Sequence, residues 1–105
     1  MQNKPPHAKS SPDYPSPRKI KRACSKELYR TLKRLDRWVS PDLVDQAEQL
    51  YTRKVMQNLI WIHENRSNRK LLCDWWDEQL SEEIAELWTV DRSKLSAAFR
   101  HAFGG

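Results

Sequence analysis

Residues 81–105, SEEIAELWTVDRSKLSAAFRHAFGG, constrain the fold more than any other stretch of this chain. Small or apolar side chains fall at Ile84, Ala85, Val90, Leu95, Ala98 and Phe99. That spacing predicts a short helix, a tight turn and a second helix. Ala85 marks the closest approach of the two, because a larger side chain there would hold them apart. Val90 plugs the turn, Leu95 anchors the second helix, and Ala98 with Phe99 continues its buried face. Local signals agree. Ser81 reads as an N-cap with Glu82 and Glu83 in the first turn, and Asp91 as a second N-cap. Val90 and Leu95 bracket that second cap as a hydrophobic staple. Gly104 and Gly105 supply the stop, so the last helix is expected from about Arg92 to Phe103.

Read as Ile-Ala-x-x-x-x-Val-x-x-x-x-Leu-Ser-x-x-Phe, this pattern resembles the helix-turn-helix superfamily of bacterial and phage DNA-binding proteins. The resemblance covers about a quarter of the chain. In one respect it departs from the family: Thr89 stands where a turn glycine is usual. A β-branched residue is costly in the left-handed region, which predicts a turn built differently. The resemblance implies that the last helix enters the major groove, with Arg92, Ser93, Ser96, Ala97 and Arg100 on its outward side. Arg92 or Arg100 would offer paired donors to guanine, and Ala97 would meet a thymine methyl. Lys94 and His101 fall to the phosphate side or to solvent. An ordinary helical hairpin needs the same apolar spacing. Asp91 and the acids Glu82, Glu83 and Glu86 also work against a phosphate backbone nearby.

Charge is distributed unevenly. Residues 1–37 hold eleven Lys or Arg against three acids, a net of +8, and residues 38–105 hold eight against eleven, a net of −3. The dense part is Arg18, Lys19, Lys21, Arg22, Lys26, Arg30, Lys33, Arg34 and Arg37, interleaved with Ile20, Tyr29 and Trp38. So long a cluster, with only Glu27 and Asp36 as acids, points to a polyanionic partner and to salt-dependent affinity. Its plainer role would be to keep an arm solvated.

Residues 1–19 read as a disordered, basic, Pro/Ser-rich arm, because five prolines and few apolar side chains leave little to bury. No apolar segment follows Lys4 as a secretory signal requires, and no run is long enough to cross a bilayer. The chain is therefore expected to be soluble, in the cytoplasm of a bacterial host. Residues 20–105 are expected to form one all-α domain, a small bundle of about five helices. Leu28, Leu32, Leu35 and Val39 predict a first helix from Ser25 to Val39. Ser40-Pro41-Asp42 restarts the chain, and a second helix is expected to reach Asn65 with its end enclosed around Met56, Ile60 and Trp61. A third is expected over Arg69–Gln79, using Leu72, Trp75 and Trp76. Trp75 and Trp76 cannot both point inward from one helix, so one of them is left for a partner or a homodimer contact.

Catalysis is not indicated. His63-Glu64 is followed by Ser67 where a second zinc-ligating histidine would be needed, and Cys24 and Cys73 lack paired spacing. The acids from Asp74 to Glu86 fit a solvated helix face. No cofactor or metal is implied. Two function classes remain. One is a small regulator of duplex DNA, with 92–103 as reader and 18–37 as phosphate clamp. The other is a helical interaction module, a host-directed adaptor or inhibitor, presenting an acidic face at 74–86 and a basic arm.

Overall fold

In the computed structural model, which describes residues 13–105, the chain is all-α and no strand occurs among the described residues. Six α-helical segments follow one another: α1 (Pro17–Leu35), α2 (Pro41–Gln57), α3 (Leu59–Glu64), α4 (Arg69–Trp76), α5 (Glu82–Trp88) and α6 (Arg92–Phe103). A π-helical turn at Asp77–Ser81 joins α4 to α5. The bundle therefore consists of five rods, with boundaries that differ from several of those expected. Most of the expected disordered arm, residues 1–12, lies outside the described residues.

The first helix begins at Pro17, eight residues before the expected Ser25. Ser16 caps it, accepting from the Lys19 amide at 3.2 Å, and Pro17 takes the first helical position. Ile20 and Cys24 extend the buried stripe of Leu28 and Thr31 back by two turns. The helix also ends earlier than Val39. Asp36 adopts the left-handed conformation, φ 54°, and its amide returns to Leu32 O at 3.1 Å. Asp tolerates that region better than most residues.

The expected helix from Pro41 to Asn65 is broken at Asn58, where the side-chain amide donates to Lys54 O at 2.8 Å. The Asn58 backbone leaves helical angles, φ −121° and ψ 25°, while its own amide still reaches Lys54 O at 3.2 Å, so the helix is interrupted there and α3 restarts at Leu59. The consequence is exposure: Met56, Ile60 and Trp61, expected inside, lie on the surface.

The third helix does not stop at Gln79. It runs through the π turn into α5, so Ser81 is not an N-cap. Its φ and ψ are helical and its side chain caps nothing. Ser81 is instead fully buried, donating to Asp77 O at 2.5 Å. A π turn inserts one residue into a helix, which rotates the apolar stripe. Here the rotation lets Trp76 before it, Leu80 within it and Ile84, Ala85 and Trp88 after it all face inward.

The core centres on aromatic contacts between this long rod and α6. Trp76 and Phe99 stack with ring centroids 3.8 Å apart and planes 3° from parallel. Tyr51 of α2 meets both rings edge-on, at 6.2 and 6.1 Å. Offset and edge-on arrangements of this kind add to simple area burial. Leu28 and Ala47 close the core from α1 and α2. Trp76 is buried and Trp75 half-buried, which settles which of the pair turns inward.

Candidate nucleic-acid interface

Residues 81–105 contain α5, the turn at Thr89 and α6. Ile84, Ala85, Leu95 and Phe99 are buried between them and the rest of the core, and Val90 packs partly buried at the turn. Asp91 caps α6, accepting from the Lys94 amide at 3.0 Å. The hydrogen bonds that Asp91 receives from Ser93 and from the Lys94 amide hold its carboxyl below the usual range. The turn is built with Thr89 in the left-handed region, φ 55° and ψ 51°, contrary to the expectation of a different turn. The Val90 amide reaches back to Ala85 O at 3.0 Å, and Arg37 Nη2 donates to Thr89 O at 3.2 Å. The main-chain bond closes the end of α5 as a Schellman motif does, and it holds Thr89 where glycine would be easier.

Of the five side chains expected on the outward side of α6, Ser93 and Ala97 are exposed and free of the core. Arg92 is exposed too, but its guanidinium is engaged: Nε donates to Ser81 Oγ at 2.8 Å, Nη2 to Asp77 O at 3.2 Å, and Nη1 lies 3.7 Å from Glu82. Ser96 and Arg100 do not face outward. They are half-buried against the long rod, with Ser96 donating to the Asp77 carboxylate and Arg100 to Asp74 at 3.0 Å. Arg92, Ser96 and Arg100 recur every four residues, so they share one stripe, and that stripe faces the acids of α4 and the π turn. The Arg100 and Lys70 hydrogen bonds draw the Asp74 carboxyl below its ordinary value. The freely exposed stripe of α6 is Ser93, Lys94, Ala97 and His101.

The basic residues of α1 are placed differently. Lys19, Lys21, Arg22, Lys26, Arg30, Lys33 and Arg34 are all exposed, as is Arg18. Arg30 lies 3.8 Å from Glu27. Arg34 donates to His101 Nδ1 at 3.0 Å, which ties the outer edge of α1 to the exposed stripe of α6. Among the described residues, none of Arg18, Lys19, Lys21, Arg22, Lys26 or Lys33 has an acidic partner within ion-pair distance. At 3.6 residues per turn, Arg18, Arg22, Lys26, Tyr29 and Lys33 line one stripe. It lies on the far side of α1 from Ile20, Cys24, Leu28 and Thr31. Sequence reasoning gathered these cations as a cluster without seeing that four of them flank Tyr29 on one line. The spacing 18-22-26-29-33 was the available signal.

Burial also separates cavity from surface. A cavity of about 690 Å³ lies among α1, α2, α3, α4 and α6, walled by Ile20, Val55, Leu59, Leu72, Trp75 and Phe103. Tyr14 lies at its edge, meeting His63 edge-on at 4.8 Å. Glu27 also lines it, with Oε1 buried and unpartnered, and burial raises the carboxyl above its usual range. Both cysteines are free and buried, and burial pushes the Cys24 thiol up to about 12, so it is a poor nucleophile at neutral pH. Among the described residues no three His, Cys, Asp or Glu side chains gather as metal ligands, and no helix is long and apolar enough to cross a membrane. No protein-family model, curated protein or solved structure matches the chain.

Proposed function

We propose that this chain binds nucleic acid, with the exposed row of α1 as phosphate clamp and the free stripe of α6 beside it. The observation that carries this reading is the set of six α1 cations without acidic partners, on a helix whose sole acid, Glu27, is turned toward the cavity. Cations placed this way release counterions when they meet phosphates, and that gain is their main source of affinity. The bond from Arg34 to His101 joins the exposed stripe of α6, which also holds Lys94 and Ala97, to the flank of α1. Base contacts from α6 then fall to Ser93 and Ala97, with Arg92 and Arg100 occupied by their own fold. The resemblance of residues 81–105 to bacterial and phage helix-turn-helix proteins supports a regulator acting on DNA in the cytoplasm of a bacterial host.

The test is binding to random duplex and single-stranded DNA over a salt series, for the native chain and for the Arg22→Ser/Lys26→Ser/Lys33→Ser variant. The native chain should show log affinity falling steeply with log salt. The variant should lose about 2–3 units of that slope, at roughly 0.7–0.9 for each phosphate no longer neutralised. An unchanged slope would remove α1 from the interface. A second reading, an interaction module, is favoured by the exposed Met56, Ile60 and Trp61, which form an apolar face at the α2–α3 break. Absence of any nucleic-acid binding at low salt would transfer the proposal to that face.

A further inference from the structure

Trp38, in the connection between α1 and α2, is the most exposed large hydrophobic side chain among the described residues, at 80 %. Tyr29 is 60 % exposed on the outer stripe of α1. Together with Leu32, Lys33, Arg37 and Val39 they line one shallow open groove. Lys33 Nζ sits 5.0 Å from the centroid of the Tyr29 ring, and Arg37 is anchored by its bond to Thr89 O. The groove thus combines two exposed aromatic rings, Tyr29 with Lys33 over one face, with two cations, at the end of a row of further cations: Arg18, Arg22 and Lys26.

We infer that this groove stacks unpaired nucleobases on Trp38 and Tyr29 while the α1 row holds the phosphates of the same strand. The inference rests on the nucleic-acid reading above and names its ligand, a strand with unpaired bases. Three arguments carry it. A ring left this open to water gains by being covered with another flat π-face, and each base supplies one. In a duplex the bases already stack on one another inside the helix, so their faces are not on offer to an external ring; an unpaired strand presents them. A protein hot spot would also use Trp, Tyr and Arg, but the surrounding charge decides against a typical partner. Asp36 is the only acid in the groove, and Lys33 and Arg37 with the row on α1 favour a polyanion. Alternation of cations and aromatic rings along a groove is the arrangement that single-strand binding requires.

The test compares labelled oligo-dT with a closed DNA dumbbell, whose bases are paired or capped, by fluorescence anisotropy on the full chain. The variants are Trp38→Ala, Trp38→Phe and the charge control Lys26→Ser/Lys33→Ser. Trp38→Ala should weaken oligo-dT binding about tenfold or more and leave dumbbell binding within about twofold, and Trp38→Phe should recover most of the loss. The charge control should weaken both ligands. Because Trp38 is exposed, thermal melting should not change, which separates loss of stacking from loss of fold. If the charge control weakens both ligands and Trp38→Ala weakens neither, or both equally, stacking is overturned while the clamp stands. No binding of either ligand by the native chain would overturn the clamp and the stacking together. A Trp38→Ala effect seen only as altered self-association in sedimentation would assign the groove to a protein interface and overturn the inference.

Discussion

The first helix and the long rod from Arg69 to Trp88 use charge in opposite ways. Both bury an apolar stripe in the same core, Ile20 to Thr31 on one and Trp76 to Trp88 on the other. The outer face of α1 is basic and mostly without acidic partners, whereas the rod is acidic and engages three of its six carboxylates with partners inside the molecule. Asp74 holds Lys70 and Arg100, Asp77 takes Ser96, and Glu82 lies beside Arg92. The lesson is that cations on the last helix do not by themselves make an open basic face. The arginines that looked most like readers stabilise the packing of α6 on the rod, and the cations that looked like a tail form an ordered surface.

The contrast is broken most severely by separating rod from α6. Trp76→Ala removes the stack on Phe99 and leaves a cavity in the aromatic centre, so it should cost about 3–5 kcal/mol, a large part of the stability of a domain this size. Chemical denaturation would read it directly. A cost near 1 kcal/mol would mean that the rod and α6 are held by their surface ion pairs instead. Next in size is the loss of salt dependence expected for Arg22→Ser/Lys26→Ser/Lys33→Ser. That variant should leave the denaturation midpoint within a few tenths of its native value, since surface changes away from special features are usually nearly neutral. If α1 is the proposed phosphate clamp, the corresponding triple on the acidic side, Glu78→Ser/Glu83→Ser/Glu86→Ser, should raise rather than lower affinity for DNA, because it removes repulsion and leaves the α1 cations in place.

A smaller effect is expected at the turn. Thr89→Gly relieves a left-handed β-branched residue and should stabilise by about 1 kcal/mol, part of the relief being offset by the greater freedom of glycine in the unfolded chain. Destabilisation would show that the Thr89 side chain does more than endure the turn.

What could be read in the sequence follows from the range over which each signal acts. The Ile84, Ala85, Val90, Leu95, Phe99 spacing and the Asp91 cap are local, and burial and hydrogen bonding bear them out. Ser81 misled because Ser followed by two Glu is an N-cap signature only if the chain arrives there in extended form. Continuity of the rod is decided by Trp76, Leu80 and Ile84 all reaching one core, a tertiary constraint. Asn58 interrupts the helix by a local departure of its backbone from helical angles, which periodicity does not register. The partners of Arg92 and Arg100 lie 10 to 26 residues away and depend on how the helices cross. Trp38 was legible as a residue but not as an exposed one, because exposure depends on where Asp36 ends α1.

The finest comparison is between two carboxylates, Glu27 on the basic helix and Asp74 on the acidic rod. Burial is the leading cause at Glu27, where Oε1 has no partner, and it outweighs the pull of Arg30 and Arg69. At Asp74 the hydrogen bonds from Arg100 and Lys70 lead, and they act in the opposite direction. The stability tied to Glu27 is therefore fully present below its ordinary value of 4.5 and is lost as pH rises through its raised value. The stability tied to Asp74 is present above its ordinary value of 3.8 and is lost as pH falls through its lowered value. Glu27→Gln should accordingly raise the melting temperature at neutral pH, with the gain vanishing in acid. Asp74→Asn should lower it slightly at neutral pH, with that loss also vanishing in acid. Melting each variant against the native chain from neutral to strongly acidic pH gives two difference curves of opposite sign. Curves of the same sign would mean that the Arg30 ion pair outweighs burial at Glu27.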